Sequence, residues 1–110
     1  MDRPEIPAHS QSRYNEIAAL LEVRAGVKAS SMFGMPTLKL DGKALAGLYG
    51  DAMVFKLSGE AHAEALSLRD AHLFDPSGLG RPMKAWVVVP IAHAANWEHL
   101  AELALVGLDP

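Results

Sequence analysis

Five histidines, His9, His62, His72, His93 and His99, are the side chains of this sequence best suited to metal ligation or proton transfer. A metal site needs several of them to converge. No two stand four residues apart and no His-Glu-x-x-His run occurs, so the spacing that presents paired imidazoles on one helical face is missing. His99 and Glu102, with Glu98 beside them, supply at most two or three ligands and read as a solvated helix face. Neither a metal nor a cofactor is expected. Nucleophilic catalysis has no better footing, because there is no cysteine and no serine lies in a Gly-x-Ser-x-Gly elbow. Ser10, Ser12 and Ser58 are placed to cap helices, while Ser77, Asp41, Asp51 and Asp75 fall in turns, where such side chains bond their own backbone. The residues therefore point to a non-catalytic protein.

Two denser motifs remain. Gly78-Leu79-Gly80-Arg81 has the glycines of a phosphate loop, but a strand follows it where an anion would need a helix N-terminus. Arg81 and Lys84 are expected beside Trp86 as a basic, partly aromatic rim for an anion or a partner, with Lys43 and Lys56 as further phosphate contacts. In Met32-Phe33-Gly34-Met35-Pro36 the glycine permits a bulge or a close approach, and the proline restricts its strand to an edge.

The elements that position these residues follow from periodicity. Residues 1–9, with Pro4 and Pro7, read as a flexible lead-in to a single domain over 10–110. Tyr14, Ile17, Ala18, Leu21 and Ala25 mark one face of a helix that stops at Gly26. The period then changes to two, and Asp41-Gly42 and Gly50-Asp51 punctuate three antiparallel strands over about 30–40, 43–49 and 52–57. Two-residue loops would pair 40 with 43 and 49 with 52. Strict alternation then puts Met35, Ala44, Ala46, Leu48, Met53, Phe55 and Leu57 on a core face. Leu38, Leu40, Leu45, Tyr49 and Val54 fall on the other face, with Lys43 and Lys56 among them. So apolar a second face predicts a homodimer or a protein partner seated on it, and Leu45→Glu should then dissociate the assembly without unfolding it. A short helix over 58–68, a strand at 72–74, an interior strand at 83–89 and a last helix over 93–106 complete an order α-β-β-β-α-β-β-α.

Composition bounds the function. The chain has 110 residues, half of them hydrophobic, and a formal charge of −3, which suits one folded domain and excludes disulfide-stapled and Cys-ligated metal scaffolds. No apolar run reaches the ~20 residues of a membrane span, and the acidic, proline-containing start is unlike a signal peptide, so a cytoplasmic protein is expected. The acidic balance makes nucleic-acid binding, through the few lysines and Arg81, weak and salt-sensitive.

Met32-Phe33-Gly34, Leu40-Asp41-Gly42-Lys43 and Gly80-Arg81-Pro82-Met83 followed by Trp86 and Val89-Pro90 together resemble the N-terminal domain of the TfoX/Sxy competence regulators, over roughly residues 10–106. The resemblance implies an α+β, two-layer α/β sandwich of secretion-chaperone-like arrangement with a mainly antiparallel sheet. It also implies a bacterial regulatory or protein-interaction role without enzymatic activity. Many members carry a second glycine after Met-Phe-Gly, where this chain has Met35-Pro36. A transcriptional regulator that touches nucleic acid weakly and a small-molecule or anion binder are the alternative readings.

Overall fold

The computed structural model describes residues 5–32 and 34–108. The first helix, α1 (Ala8–Ala25), begins directly after Pro7 and ends at Gly26, whose φ of 75° lets its N–H turn back to the Glu22 carbonyl at 2.9 Å. Ala8 and His9 thus belong to the helix rather than to a lead-in. Ser10 is no cap either: it is fully buried inside α1, and its hydroxyl donates to the Asp51 carbonyl at 3.0 Å. Tyr14, Ile17 and Leu21 form the buried stripe that the spacing predicts. Burial pushes the Tyr14 phenol well above its ordinary pKa, so this group is neutral in the folded chain.

Six strands follow in a wholly antiparallel sheet of order β1-β2-β3-β4-β6-β5. They are β1 (Lys28–Met32), β2 (Met35–Leu40), β3 (Lys43–Tyr49), β4 (Ala52–Lys56), β5 (His72–Phe74) and β6 (Met83–Val89). The segment expected as one strand over 30–40 is therefore a hairpin. Gly34, at φ 74°, reverses the chain so that Met32 pairs with Met35. Pro36 consequently lies on an interior strand, between β1 and β3, and not at the sheet edge.

The turn at Asp41-Gly42 has positive φ at both residues, 51° and 79°, and closes on the expected pair Leu40 and Lys43. Beyond it the register slips. Lys39 faces Ala44 but Leu38 faces Ala46, so Leu45 is the extra residue of a bulge. A slip of one position changes the face of every residue on β2. Leu38, Leu40 and Leu45, expected on the outer face, instead pack under the helices, Leu38 and Leu45 without exposed surface, while Met35 and Ala44 move to the opposite face.

The remaining helices, α2 (Gly59–Leu66) and α3 (Ala94–Val106, entered through a 3-10 turn at Ile91–His93), join α1 on one side of the sheet. Their apolar faces enclose the main core with Leu48, Met53, Phe55, Val87 and Val89. Trp97 sits fully buried there, and its indole N–H donates to the Val89 carbonyl at 3.1 Å, which ties the start of α3 to the end of β6. The architecture is thus α+β, with one helical layer on one antiparallel sheet. An interior β6 with Trp86 and Val88 on one side and Val87 and Val89 on the other is as expected.

Among the described residues the second face carries no helix, yet Val54, Phe74, Trp86 and Val88 are all buried there. These residues cover one another. The rings of Tyr49 and Phe74 meet edge-on with centroids 5.1 Å apart, although β4 and β6 lie between their strands; in a flat sheet such strands would stand roughly 14 Å apart. The right-handed twist of the sheet, which turns distant strands across one another, helps to close the gap. Gly47 belongs to the same device: a Cβ there would come within 2.8 Å of the Met35 methyl and 3.0 Å of the Pro36 carbonyl, so the glycine makes room for Met35 to cross the strand.

Histidines fasten the excursion from α2 to β5 onto this frame. His62 of α2 bonds the Lys84 carbonyl at 2.8 Å and His93 bonds the Arg69 carbonyl at 2.9 Å, while His72 closes a local bond to the Asp70 carbonyl at 3.1 Å within the excursion, each ring nitrogen donating. His99 pairs with Glu64 across α3 and α2 at 3.0 Å, and Glu102 pairs with Arg24 of α1. The two residues read as neighbours on a solvated face thus each reach a different helix.

Candidate functional site

The end of the sheet formed by the start of β3 and the end of β4 meets the beginning of α2 and the last turn of α3. Between them lies a cleft of about 680 Å³, within the size range of small-ligand sites. Lys43, Lys56 and Ser58 supply its polar lining; Leu57, Ala61 and Ala104 supply much of its apolar wall. Lys43 comes from β3 just after the Asp41-Gly42 turn, and Lys56 closes β4. Both side chains are exposed. The antiparallel register, in which Ala46 faces Phe55, is what carries two residues thirteen positions apart in the chain to one end of the sheet.

Nothing in the local sequence marks the other walls. Ser58 was expected as a helix cap, and it does occupy that position before α2, but its side chain makes no capping bond. Leu103 and Ala104 read only as positions on an amphipathic helix. Their meeting with α2 is a tertiary event. The one local sign was the pair of lysines flanking the β3–β4 hairpin.

The other predicted residues are distributed differently. Trp86 is only 6% exposed and lies within the second-face cluster, so no aromatic rim accompanies Arg81 and Lys84, both of which are exposed. The glycine-rich loop does bind an anion, but the anion is the chain's own. The Asp75 carboxylate accepts from the Gly78 N–H at 3.1 Å, the Gly80 N–H at 3.0 Å and the Ser77 hydroxyl at 2.9 Å. The Arg81 N–H is a further donor to it. Desolvation works to raise the Asp75 pKa, and these donors outweigh it, holding the carboxyl below its ordinary value. The amides a phosphate would need are thus already engaged.

Asp75→Ala should release this loop, seen as faster amide exchange at Gly78 and Gly80 and earlier proteolysis between 75 and 82. Because the folded-state pKa is lowered, the same protection in the native chain is complete above the unfolded carboxyl value, about 4, and is lost as pH falls through the folded value. Exchange at Gly78 and Gly80 that is unchanged in the variant would contradict this assignment.

Of the expected partner-facing residues, Tyr49 and Val54 do lie on the second face, Tyr49 half-buried and Val54 fully buried. Leu38, Leu40 and Leu45 are under the helices, so the contiguous greasy patch does not form. Two motifs distant in sequence do converge. Met32 and Met35 from the first hairpin pack in the same cluster as Met83 and Trp86 from β6, while Gly34 and Gly80 (φ 75°) form turns and Pro82 is half-buried just before β6. Phe33 lies outside the described residues.

No protein-family model, no curated protein and no solved structure matches this chain. Among the described residues no group of three histidines or carboxylates is placed to hold a metal, and no helix is long and apolar enough to cross a membrane.

Proposed function

We propose that this chain is a non-catalytic, cytoplasmic interaction module of the kind found at the N-terminus of the TfoX/Sxy competence regulators, with a secretion-chaperone-like fold, and that it works as a homodimer. The observation that supports the dimer is the outer edge of β1. This strand ends the sheet, Lys28 to Ser31 are exposed, and Met32 alone is half-buried. An edge of this kind directs every second residue's N–H and C=O outward, ready to pair with another strand. The opposite edge, β5, offers only three residues and runs into the loop fastened by Asp75.

A second copy fits β1 in a self-complementary way. Antiparallel pairing centred on Ser30 places Ala29 against the partner's Ser31 and keeps the two lysines at opposite ends, so no like charges oppose each other. The non-catalytic reading draws on the use made of the polar side chains: three of the five histidines donate to backbone carbonyls, and the hydroxyls of Ser10, Ser67 and Ser77 donate within the fold. The resemblance is supported by the packing of Met32 and Met35 in one cluster with Met83 and Trp86, residues of two segments that carry it or adjoin it.

Sedimentation equilibrium at 10–100 µM, in roughly the concentration range where weak dimers appear, tests the proposal. A dimer is expected for the native chain. Ser30→Glu, which sets two carboxylates opposite each other at an exposed site, should give a monomer with an unchanged circular dichroism spectrum. A native monomer at 100 µM, or a dimer that survives the substitution, overturns it.

A further inference from the structure

We infer that the cleft between α2 and the end of α3 binds a small amphiphilic anion, a single carboxylate or phosphate head carried on a short apolar body. The charge pattern is the first reason. The whole chain carries −3, yet among the described residues no Asp or Glu lines the cleft, and the charged lining residues among them are Lys43 and Lys56. Lys43 has a bonding partner within the chain, whereas Lys56 forms no ion pair among the described residues. Lys56 is therefore the cation available to a ligand at least cost, and Lys43 adds to the local potential.

The apolar wall is the second reason. Leu57 and Ala104 are only 4% and 1% exposed, but Ala61, Leu103 and Leu108 are half-buried along the opening. A ligand body laid between them would remove apolar surface from water, while its head stays near the lysines at the wet end. An inorganic ion would use one half of this site and a neutral alcohol the other.

A different role for the same lysines makes the opposite prediction. α3 has no basic residue in its last turn, so Lys43 and Lys56 could serve only to offset the negative end of that helix. In that case anions would compete with the helix end rather than stabilise the protein.

The experiment is a thermal melt of the full chain with sodium decanoate, decyl phosphate, inorganic phosphate or 1-decanol, combined with amide chemical-shift mapping. Decanoate or decyl phosphate at ten times its Kd should raise Tm by roughly 5–10 °C. Which of the two binds more tightly identifies the head group. Inorganic phosphate and decanol should each give a much smaller shift. Amide perturbations should cluster around Lys56, Ala61 and residues 103–108. Lys56→Met, at an exposed site that tolerates substitution, should weaken binding at least about tenfold. The inference is overturned if neither anion raises Tm, if decanol raises it as much, if the perturbed amides lie elsewhere, or if Lys56→Met and Lys43→Met both keep native affinity.

Discussion

Leu45→Glu should leave the chain unfolded at room temperature, with no cooperative transition and with exchange-labile amides throughout the sheet. Leu45 has no exposed surface and projects from a bulge into the helix-covered core. Removing a buried leucine costs about 2–5 kcal/mol, and leaving an unpaired carboxylate in its place costs several more. Together these approach the roughly 5–15 kcal/mol that stabilises a whole domain. Strict alternation along β3 makes a contrary forecast, a folded monomer released from a dimer. Circular dichroism of the variant decides between them, and Leu45→Met, which keeps volume and polarity, should lose less than about 1.5 kcal/mol. A well-folded Leu45→Glu protein would refute the bulge.

Trp97→Ala is the second large effect. The side chain is fully buried at the centre of the helical layer and holds the Val89 carbonyl through its indole. Truncation should cost about 3–5 kcal/mol from lost contacts and the cavity left behind. The stranded carbonyl adds about 1–3 kcal/mol unless water reaches it. Denaturant titration measures the sum, and Trp97→Phe separates its parts, because phenylalanine retains most of the packing and none of the hydrogen bond. A loss below about 1 kcal/mol for Trp97→Ala would mean that α3 is not anchored through this residue.

The two cases also show which parts of the fold are legible in the sequence. Helical stripes such as Tyr14, Ile17 and Leu21, the turn at Asp41-Gly42, the pairs Leu40 with Lys43 and Tyr49 with Ala52, and the doubly buried β6 follow from spacing and turn chemistry. These are local rules. The bulge at Leu45 has no such sign, since Lys-Ala-Leu-Ala-Gly-Leu alternates acceptably in either register and the choice is made by what the helices need beneath them. Gly34 was visible as a special position, but one glycine between Phe33 and Met35 fits a bulge as well as a reversal. The cleft was half legible. Its lysines flank a hairpin, whereas its far wall depends on where α3 ends against α2, a distance that no local pattern encodes.

The imidazole fastenings bear on which positions of the chain are free to drift. His62 and His93 each offer a ring N–H to the main-chain carbonyl of a residue more than twenty positions away. A carbonyl at residue 84 or 69 is there whichever side chain the position carries, so these two latches do not read the identity of the residue they close on. The segment from α2 to β5 should therefore tolerate drift at Arg69 and Lys84 far better than at the two rings that hold them. Asp70 is different: at a φ of 65° it lies in the left-handed region, which few side chains accept.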